Sequence, residues 1–438
     1  MSWTYYPELL ARSVPRYTSF PTAAEFTGAV GPDDLDRELR ALSGDVSLYL
    51  HIPYCQQICW YCGCNTGAAN KAQRLSSYLD ALHKEIALVG VRLDGRVAVR
   101  RVAFGGGSPN AIAPTDFVRL LDALTLHMAL EDPVWSIELD PRGLTSEWGE
   151  VLGRVGVSRA SMGVQTFDPV LQAAIGRVQP DTDIVRGTEQ LRRAGVTSLN
   201  FDLMYGLPGQ TLATLEASLV RTIELGADRI ALFGYAHVPH LLPRQRRIDS
   251  SMLPGQAARF AMAGFGYEHL IGAGYVPVGF DHFAMPHDPL ARAAENGTLR
   301  RNFQGFTADQ APALVGLGAS AITCLPNLLA QNDKNAGRYR MKLSQDKLAT
   351  ALGIKRSAED SARAAAIESL LCHGTARVGA HAGAELADGL APFIARELAI
   401  FDGSQLSITA EGLPYARSIA ALLDPYRQHA PTRFSSAV

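Results

Sequence analysis

Four cysteines, Cys55, Cys59, Cys62 and Cys64, fall within ten residues, and the first three are spaced C-x3-C-x2-C. That spacing constrains the surrounding chain, because three thiols on one tight loop need a scaffold that holds them around a common centre. Zinc sites usually pair C-x2-C with a distant second pair or with histidines. A cubane iron–sulfur cluster instead offers four irons to ligate. Cys55, Cys59 and Cys62 would hold three of them and leave the fourth open to chelate a small molecule through an amine and a carboxylate. Cys64 trails Cys62 by two residues and is the poorest ligand of the four. A structural zinc loop or a patch of buried thiols is the competing interpretation. The residues on either side of the loop argue against it.

Those flanking residues alternate strand and helix signals. An apolar strand, Val46–Ile52, runs into the cysteine loop. A helical period follows, with Leu75, Leu79, Leu82, Ile86, Val89 and Leu93 at three- and four-residue steps. Further strands are predicted over Val97–Phe104, Val134–Leu139, Arg159–Val164, Ser198–Met204 and Arg229–Phe233. The helix after the second strand starts near Thr115 and carries Phe117, Leu120, Leu121 and Leu124 on one face. Strands separated by helical periods argue for parallel β/α units with right-handed crossovers. Six such units predict an α/β fold, a partial (β/α)6 barrel rather than a closed eight-stranded one. In such folds the chemistry gathers at the carboxyl ends of the strands. Each unusual stretch falls at such an end: Gly105-Gly106-Gly107-Ser108-Pro109, Asp140-Pro141, Gln165, Tyr205–Pro208 and Gly234–His237.

The barrel is expected over residues 41–290, after an N-terminal arm, 1–40, in which Pro15-Arg16-Tyr17-Thr18-Ser19 and Pro21 read as extended chain. Residues 291–438 are expected to form a mainly helical C-terminal domain. Its helical patterns recur near Ser357–Cys372 and Leu390–Ile400, with a hairpin-like stretch at Gly403–Thr409 and a last helix to about Leu423. Lysine plus arginine number 41 and aspartate plus glutamate 43, so no basic face marks a nucleic-acid binder. Six cysteines, four of them in one loop, do not make a disulfide framework. Met1–Glu8 lacks a charged-then-apolar signal, and no apolar run approaches the ~18 residues of a membrane helix. The expectation is a cytoplasmic, monomeric enzyme without membrane insertion.

The cysteine spacing, with Tyr61 as the aromatic residue before the third cysteine, resembles the radical S-adenosylmethionine (SAM) enzymes. Their open iron binds the methionine end of the cofactor. The whole chain resembles a narrower group, the bacterial oxygen-independent coproporphyrinogen III oxidases (dehydrogenases). The motifs are Pro15–Ser19, Gly105–Pro109, Ile137–Arg142, Ser161–Gln165, Phe201–Pro208 and Gly234–His237. Beyond the barrel come Gly279–Phe283, Arg301–Gly305 and Gly316–Ile322. The resemblance implies a [4Fe–4S] cluster on Cys55, Cys59 and Cys62, and two SAM molecules. It places Tyr49 and Glu138 at the first SAM and has the Gly106-Gly107-Ser108 loop cradle the methionine amine. Gln165 and Arg177 match positions at the second SAM, and Tyr61, Ala236 and Ile322 carry over as further cofactor contacts.

The residues have their own physical readings. A glycine run lets backbone approach a ligand closely. Glu138 sits in an apolar strand and needs a partner, since a buried unpaired charge is costly; that partner is either Arg142 or a cofactor amine or hydroxyl. Asp202 suits the two ribose hydroxyls of an adenosine. Taken alone, Arg177 reads as a surface arginine and Tyr49 as a core aromatic.

The chemistry implied is the conversion of two propionates of coproporphyrinogen III to vinyl groups, giving protoporphyrinogen IX. A 5′-deoxyadenosyl radical removes a hydrogen from each propionate β-carbon, carbon dioxide leaves, and one electron passes to an acceptor. The radical comes from the cofactor, so no side chain is named as catalytic. A low-potential donor such as flavodoxin or ferredoxin is the expected partner. Candidates to meet the four propionates are Arg16, Asp281, His282, Arg301 and Gln304, whereas Arg244, Arg246 and Arg247 read as a solvated run. The chain departs from the family pattern at Gly176, Met285 and Phe306, and in the Asn65–Asn70 loop, which lacks basic residues. A radical SAM-type heme chaperone and a heme-opening methyltransferase are the alternatives. The arm motif and Arg301–Gly305 favour the oxidase.

Overall fold

A computed structural model describes residues 3–69, 72–379 and 384–429. Asn70, the last residue of the loop after Cys64, and the chain ends of the expected arm and C-terminal domain lie outside the described residues. The six strands expected from the sequence form: β1 (Gly44–Ile52), β2 (Val97–Gly106), β3 (Leu130–Leu139), β4 (Arg159–Gln165), β5 (Ser198–Tyr205) and β6 (Arg229–Gly234). They lie side by side in chain order, every pair parallel. Helices α1 (Ala72–Leu93), α2 (Pro114–His127), α3 (Ser146–Val155), α4 (Asp181–Arg193) and α5 (Leu212–Glu224) make the crossovers. β3 begins four residues before Val134, because Asp132 adopts a left-handed backbone (φ 46°) that carries the strand through Pro133 with a register shift.

Local sequence explains these elements. In α1, Leu79, Leu82, Ile86, Val89 and Leu93 are buried on one face, each contributing roughly 1.5–3 kcal/mol by leaving water. The Thr145 hydroxyl caps α3 by accepting from the Trp148 N–H, and Gly156 ends the helix in a left-handed turn. Phe104 on β2, Phe117 on α2 and Trp148 on α3 then pack edge to face and tilted, at centroid spacings of 4.7 and 5.1 Å. This aromatic column fastens two crossovers to the sheet.

The sheet is larger than six strands. β7 (Val276–Val278) and β8 (His282–Ala284) follow the helix α6 (Gln256–Gly272), and β8 pairs antiparallel with β6. On the other edge β9 (Ala313–Leu317) pairs parallel with β1, and β10 (Ile322–Cys324), β11 (Leu328–Asn332) and β12 (Thr350–Lys355) continue antiparallel. The order is β12-β11-β10-β9-β1-β2-β3-β4-β5-β6-β8-β7. The barrel sheet therefore crosses the boundary drawn at residue 290. Composition hid this because β9, β10 and β11 are short strands that follow one another without intervening helices, and only the short helix Ala336–Ser344 separates β11 from β12.

The C-terminal helix α7 (Ala358–His373) lies where a helical period was read, whereas α8 (Ala384–Ile394) starts six residues before the period read over Leu390–Ile400. The second stops six residues before Ile400: Glu397 turns left-handed (φ 59°), and Ala399–Phe401 becomes a strand against Gln405–Ile408. The arm is docked rather than merely extended. Its Pro32–Ala41 segment is helical, with Leu35 and Leu39 buried and Asp34 accepting from the Gly31 N–H. The Tyr17 hydroxyl donates to Asp424 and the Tyr6 N–H to the Tyr415 hydroxyl, so the two ends of the chain meet.

Candidate active site and cofactor cavity

At the carboxyl ends of the six parallel strands lies a cavity of about 500 Å³. Its wall takes Cys55 from beyond β1, Gly106 from β2, Glu138 from β3, Gln165 from β4, Asp202 from β5 and Ala236 from beyond β6. Cys59, Cys62, Tyr61, Gly107, Ser108 and Arg177 line the same space. Tyr49 and Ile322 do not. Tyr49 is buried on β1 with its hydroxyl 3.2 Å from His51 Nδ1, and Ile322 sits on β10 opposite Gln331.

The glycine loop is forced by its neighbours. A Cβ on Gly105 would fall 2.6 Å from the Glu138 carboxylate, and one on Gly107 2.5 Å from the Tyr54 carbonyl oxygen. The backbone thus packs as closely as glycine permits, and the Gly106 N–H donates to Glu138 Oε2 at 3.1 Å. Burial raises the Glu138 pKa to about 7; the Gly106 N–H opposes this and Asp202 adds to it. The arginine considered as its partner is elsewhere, since Arg142 binds Asp140 bidentately, with Nη2–Oδ2 2.5 Å. Asp202 accepts from Ser161 Oγ at 3.2 Å and Asn200 Nδ2 at 2.7 Å, and burial raises its pKa.

Gln165 has φ 69°, left-handed and rare for a residue with a side chain. It sits at a register shift between β4 and β5, a bulge that re-aims the strand end beside the cavity. Arg177 is buried, not on the surface. It donates to the Gly163 carbonyl, to Gln179 Oε1 at 3.1 Å and to Cys59 Sγ at 3.2 Å, and lies 3.5 Å from Asp140. Arg142 Nη2 also reaches Cys59 Sγ at 3.7 Å. Two guanidiniums thus donate to one sulfur. Cys62 is held down at about 6, chiefly by the hydrogen bond from Cys64, whereas burial pushes Cys55 up to about 12. Among the described residues, no three His, Cys, Asp or Glu side chains close on a single metal ion. Three thiols around one open cavity, with cations beside them, fit a multi-iron cluster.

The substrate candidates border adjoining spaces. Arg16 lines the main cavity and a smaller recess that also holds Asp281. His282 and Gln304 face a chamber of about 280 Å³ inside the barrel, which shares Glu138, Ser161, Asp202 and Phe233 with the cavity. Arg301 lines a separate cleft near Tyr17–Phe20. Asp281 and His282 pair at 2.6 Å. The supposedly solvated run is partly engaged: Arg244 donates to Thr66 Oγ1, and Arg247 lies over the Trp60 ring. Between them Gln245 is buried and donates to the carbonyls of Tyr61 and Ala236, tying the cysteine loop to the end of β6. Sequence reasoning missed Gln245, whose position among arginines masked it. It also missed Asp140 as the anchor of Arg142 and Arg177, although Asp140 lies inside a quoted motif.

A family model of the Radical SAM superfamily matches residues 49–220. The oxygen-independent coproporphyrinogen III oxidase of Bradyrhizobium diazoefficiens is 40% identical over 437 residues, spanning 97% of each chain. The chain belongs to the oxygen-independent coproporphyrinogen III oxidase family. The Escherichia coli K12 member is 35% identical over 426 residues, covering 94% of this chain and 93% of its own. The solved coproporphyrinogen III oxidase of Escherichia coli, a radical SAM enzyme, superposes with a TM-score of 0.91 at 32% identity, over 97% of this chain and 100% of that one. The family likeness thus extends through the arm and the C-terminal domain, beyond the segment typical of the superfamily.

Proposed function

We propose that this chain converts coproporphyrinogen III to protoporphyrinogen IX without oxygen, by oxidative decarboxylation of two propionates in heme biosynthesis. The observation that carries this is the convergence of three cysteines, the glycine loop, Glu138, Gln165, Arg177 and Asp202 on one cavity. Cys55, Cys59 and Cys62 would hold a [4Fe–4S] cluster, which supplies, when reduced, the electron that splits SAM. Glu138 and the backbone of Gly106 and Gly107 would hold the amine of the first SAM. Gln165 and Arg177 would orient a second SAM and Asp202 would accept from the ribose hydroxyls of an adenosine, with Tyr61 and Ala236 as packing walls. A charged carboxylate at Glu138 then depends on a cationic partner, since burial alone favours its neutral form. Met204 and Tyr235, packed in one apolar cluster with Leu207, line the cavity and would help to exclude water from it.

A low-potential donor such as flavodoxin or ferredoxin would deliver electrons to a cytoplasmic monomer. The oxidase reading is favoured over a heme chaperone by one packing feature. Arg301, from the Arg301–Gly305 motif, donates to the carbonyls of Arg16 and Tyr17, so the two motifs associated with the oxidase branch form one unit. An anaerobic assay with coproporphyrinogen III, SAM and a reductant tests the proposal. The expected products are protoporphyrinogen IX, methionine and 5′-deoxyadenosine, with two SAM consumed per porphyrinogen. Stoichiometric heme binding with no product would support the chaperone instead.

A further inference from the structure

Beside the cofactor cavity lies a recess of about 70 Å³, and the two share Arg16, Phe233, Gly234 and Ala236 as walls. Its other charged walls are Arg259 on α6, Arg417 and Asp281; the remainder is mostly aromatic and aliphatic. Three guanidiniums therefore face one carboxylate, and Asp281 is already engaged by His282. Arg301 adds a fourth cation close by, 5.1 Å from the Phe280 ring centroid, and Arg417 lies 5.7 Å from that same centroid. The Nε of Arg259 and the Nη1 of Arg301 are buried without a hydrogen-bond partner. Burial, and next the charge of Arg16, push the Arg417 pKa down to about 10. The buried Nε–H of Arg259 is costly until an acceptor joins it.

We propose that this recess receives one propionate arm of the tetrapyrrole, with its carboxylate on Arg259 and Arg417. The arm's methylenes lie against Phe233 and Phe280, and Arg16 closes over it from the N-terminal arm. This rests on the substrate reading above and extends it to residues that reading does not use. The recess is too small for a macrocycle, which lies instead across the larger adjoining cavity. Its walls come from the arm at Trp3 and Arg16, from the barrel through the ends of β5 and β6, α6 and the Phe280–Phe283 stretch, and from the Leu413–Arg417 stretch. The pocket is complete only when both chain ends are docked, which gives the arm a role in recognition as well as packing.

Coproporphyrin III, the fluorescent oxidised form of the proposed substrate, is the probe, titrated into the cluster-loaded chain. Arg259→Gln and Arg417→Gln are each expected to weaken its binding about tenfold, the usual scale for losing a charged hydrogen bond. The KM for coproporphyrinogen III should rise by a similar factor while kcat moves far less, and Arg417→Lys should recover part of the loss. Arg16 is exposed, so Arg16→Gln keeps the fold and tests the pocket even where a buried variant does not fold. A wild-type chain that forms protoporphyrinogen IX, beside folded variants with wild-type Kd and KM, would overturn the pocket. A wild-type chain that neither binds the probe nor forms product would overturn the proposed function instead.

Discussion

Replacing Glu138 by glutamine should make the cofactor-free protein more stable, and by an amount that depends on pH. The carboxyl is buried, and its pKa lies near 7 instead of the ordinary 4.5. A folded-state pKa above the unfolded value means that stability is full below about pH 4.5, falls as pH rises, and is lost by about pH 7. At about 1.36 kcal/mol per tenfold change in proton affinity, the folded state bears about 1 kcal/mol at pH 5 and about 3 kcal/mol at pH 8. Glutamine removes that cost while its amide oxygen can still accept from the Gly106 N–H. Glu138→Gln should therefore exceed wild type by about 1 kcal/mol at pH 5 and about 3 kcal/mol at pH 8. Glu85, also raised to about 7, is present in both proteins and cancels. Urea unfolding of both cofactor-free proteins at the two pH values measures the gap. Equal differences at pH 5 and pH 8, or a glutamine variant less stable at both, would refute the reasoning. The same variant should lose SAM cleavage, because the cofactor amine then meets no carboxylate.

The other tests concern the cluster, the second cofactor position and the edge of the sheet. Single alanine variants of Cys55, Cys59 and Cys62 should each fail to hold a full complement of iron after reconstitution, whereas Cys64→Ala, Cys324→Ala and Cys372→Ala should hold it; iron and sulfide counts decide the matter. Arg177→Ala should keep SAM detectable at the reduced cluster by electron paramagnetic resonance yet lower conversion of coproporphyrinogen III at least tenfold, on the usual scale of a charged hydrogen bond. Undiminished product formation would remove Arg177 from the site. Glu85→Ala should cost on the order of 3 kcal/mol, since it strands the Gly318 N–H, Asn332 Nδ2 and the Tyr339 hydroxyl, which now donate to the carboxylate at 2.6–2.7 Å. A urea midpoint within error of wild type would contradict that network.

The parts of this molecule legible in the sequence are those with short-range causes. Six parallel strands follow from apolar runs separated by helical periods, and the gathering of Cys55, Glu138 and Asp202 at one end follows from parallel topology alone. What was hidden has long-range causes. β9 joins β1 across more than 250 residues, and nothing in Ala313–Leu317 marks its partner. Arg177 reads as a surface residue until the fold sets it between Cys59 and Asp140, where burial without those partners would be prohibitive. The bulge at Gln165 is invisible because glutamine carries no preference for left-handed backbone. Arg259 and Arg417 are the extreme case, for neither belongs to any motif and each sits in an unremarkable helical period. Their meaning is a sum of charge, three guanidiniums against one carboxylate, which exists only after both chain ends have folded back onto the barrel. A cluster of that kind, with the Nε–H of Arg259 left without an acceptor, suits an anion from outside the chain. If the arm serves only to cover the sheet, removing the exposed charge of Arg16, as in Arg16→Gln, should leave porphyrin affinity at the wild-type value.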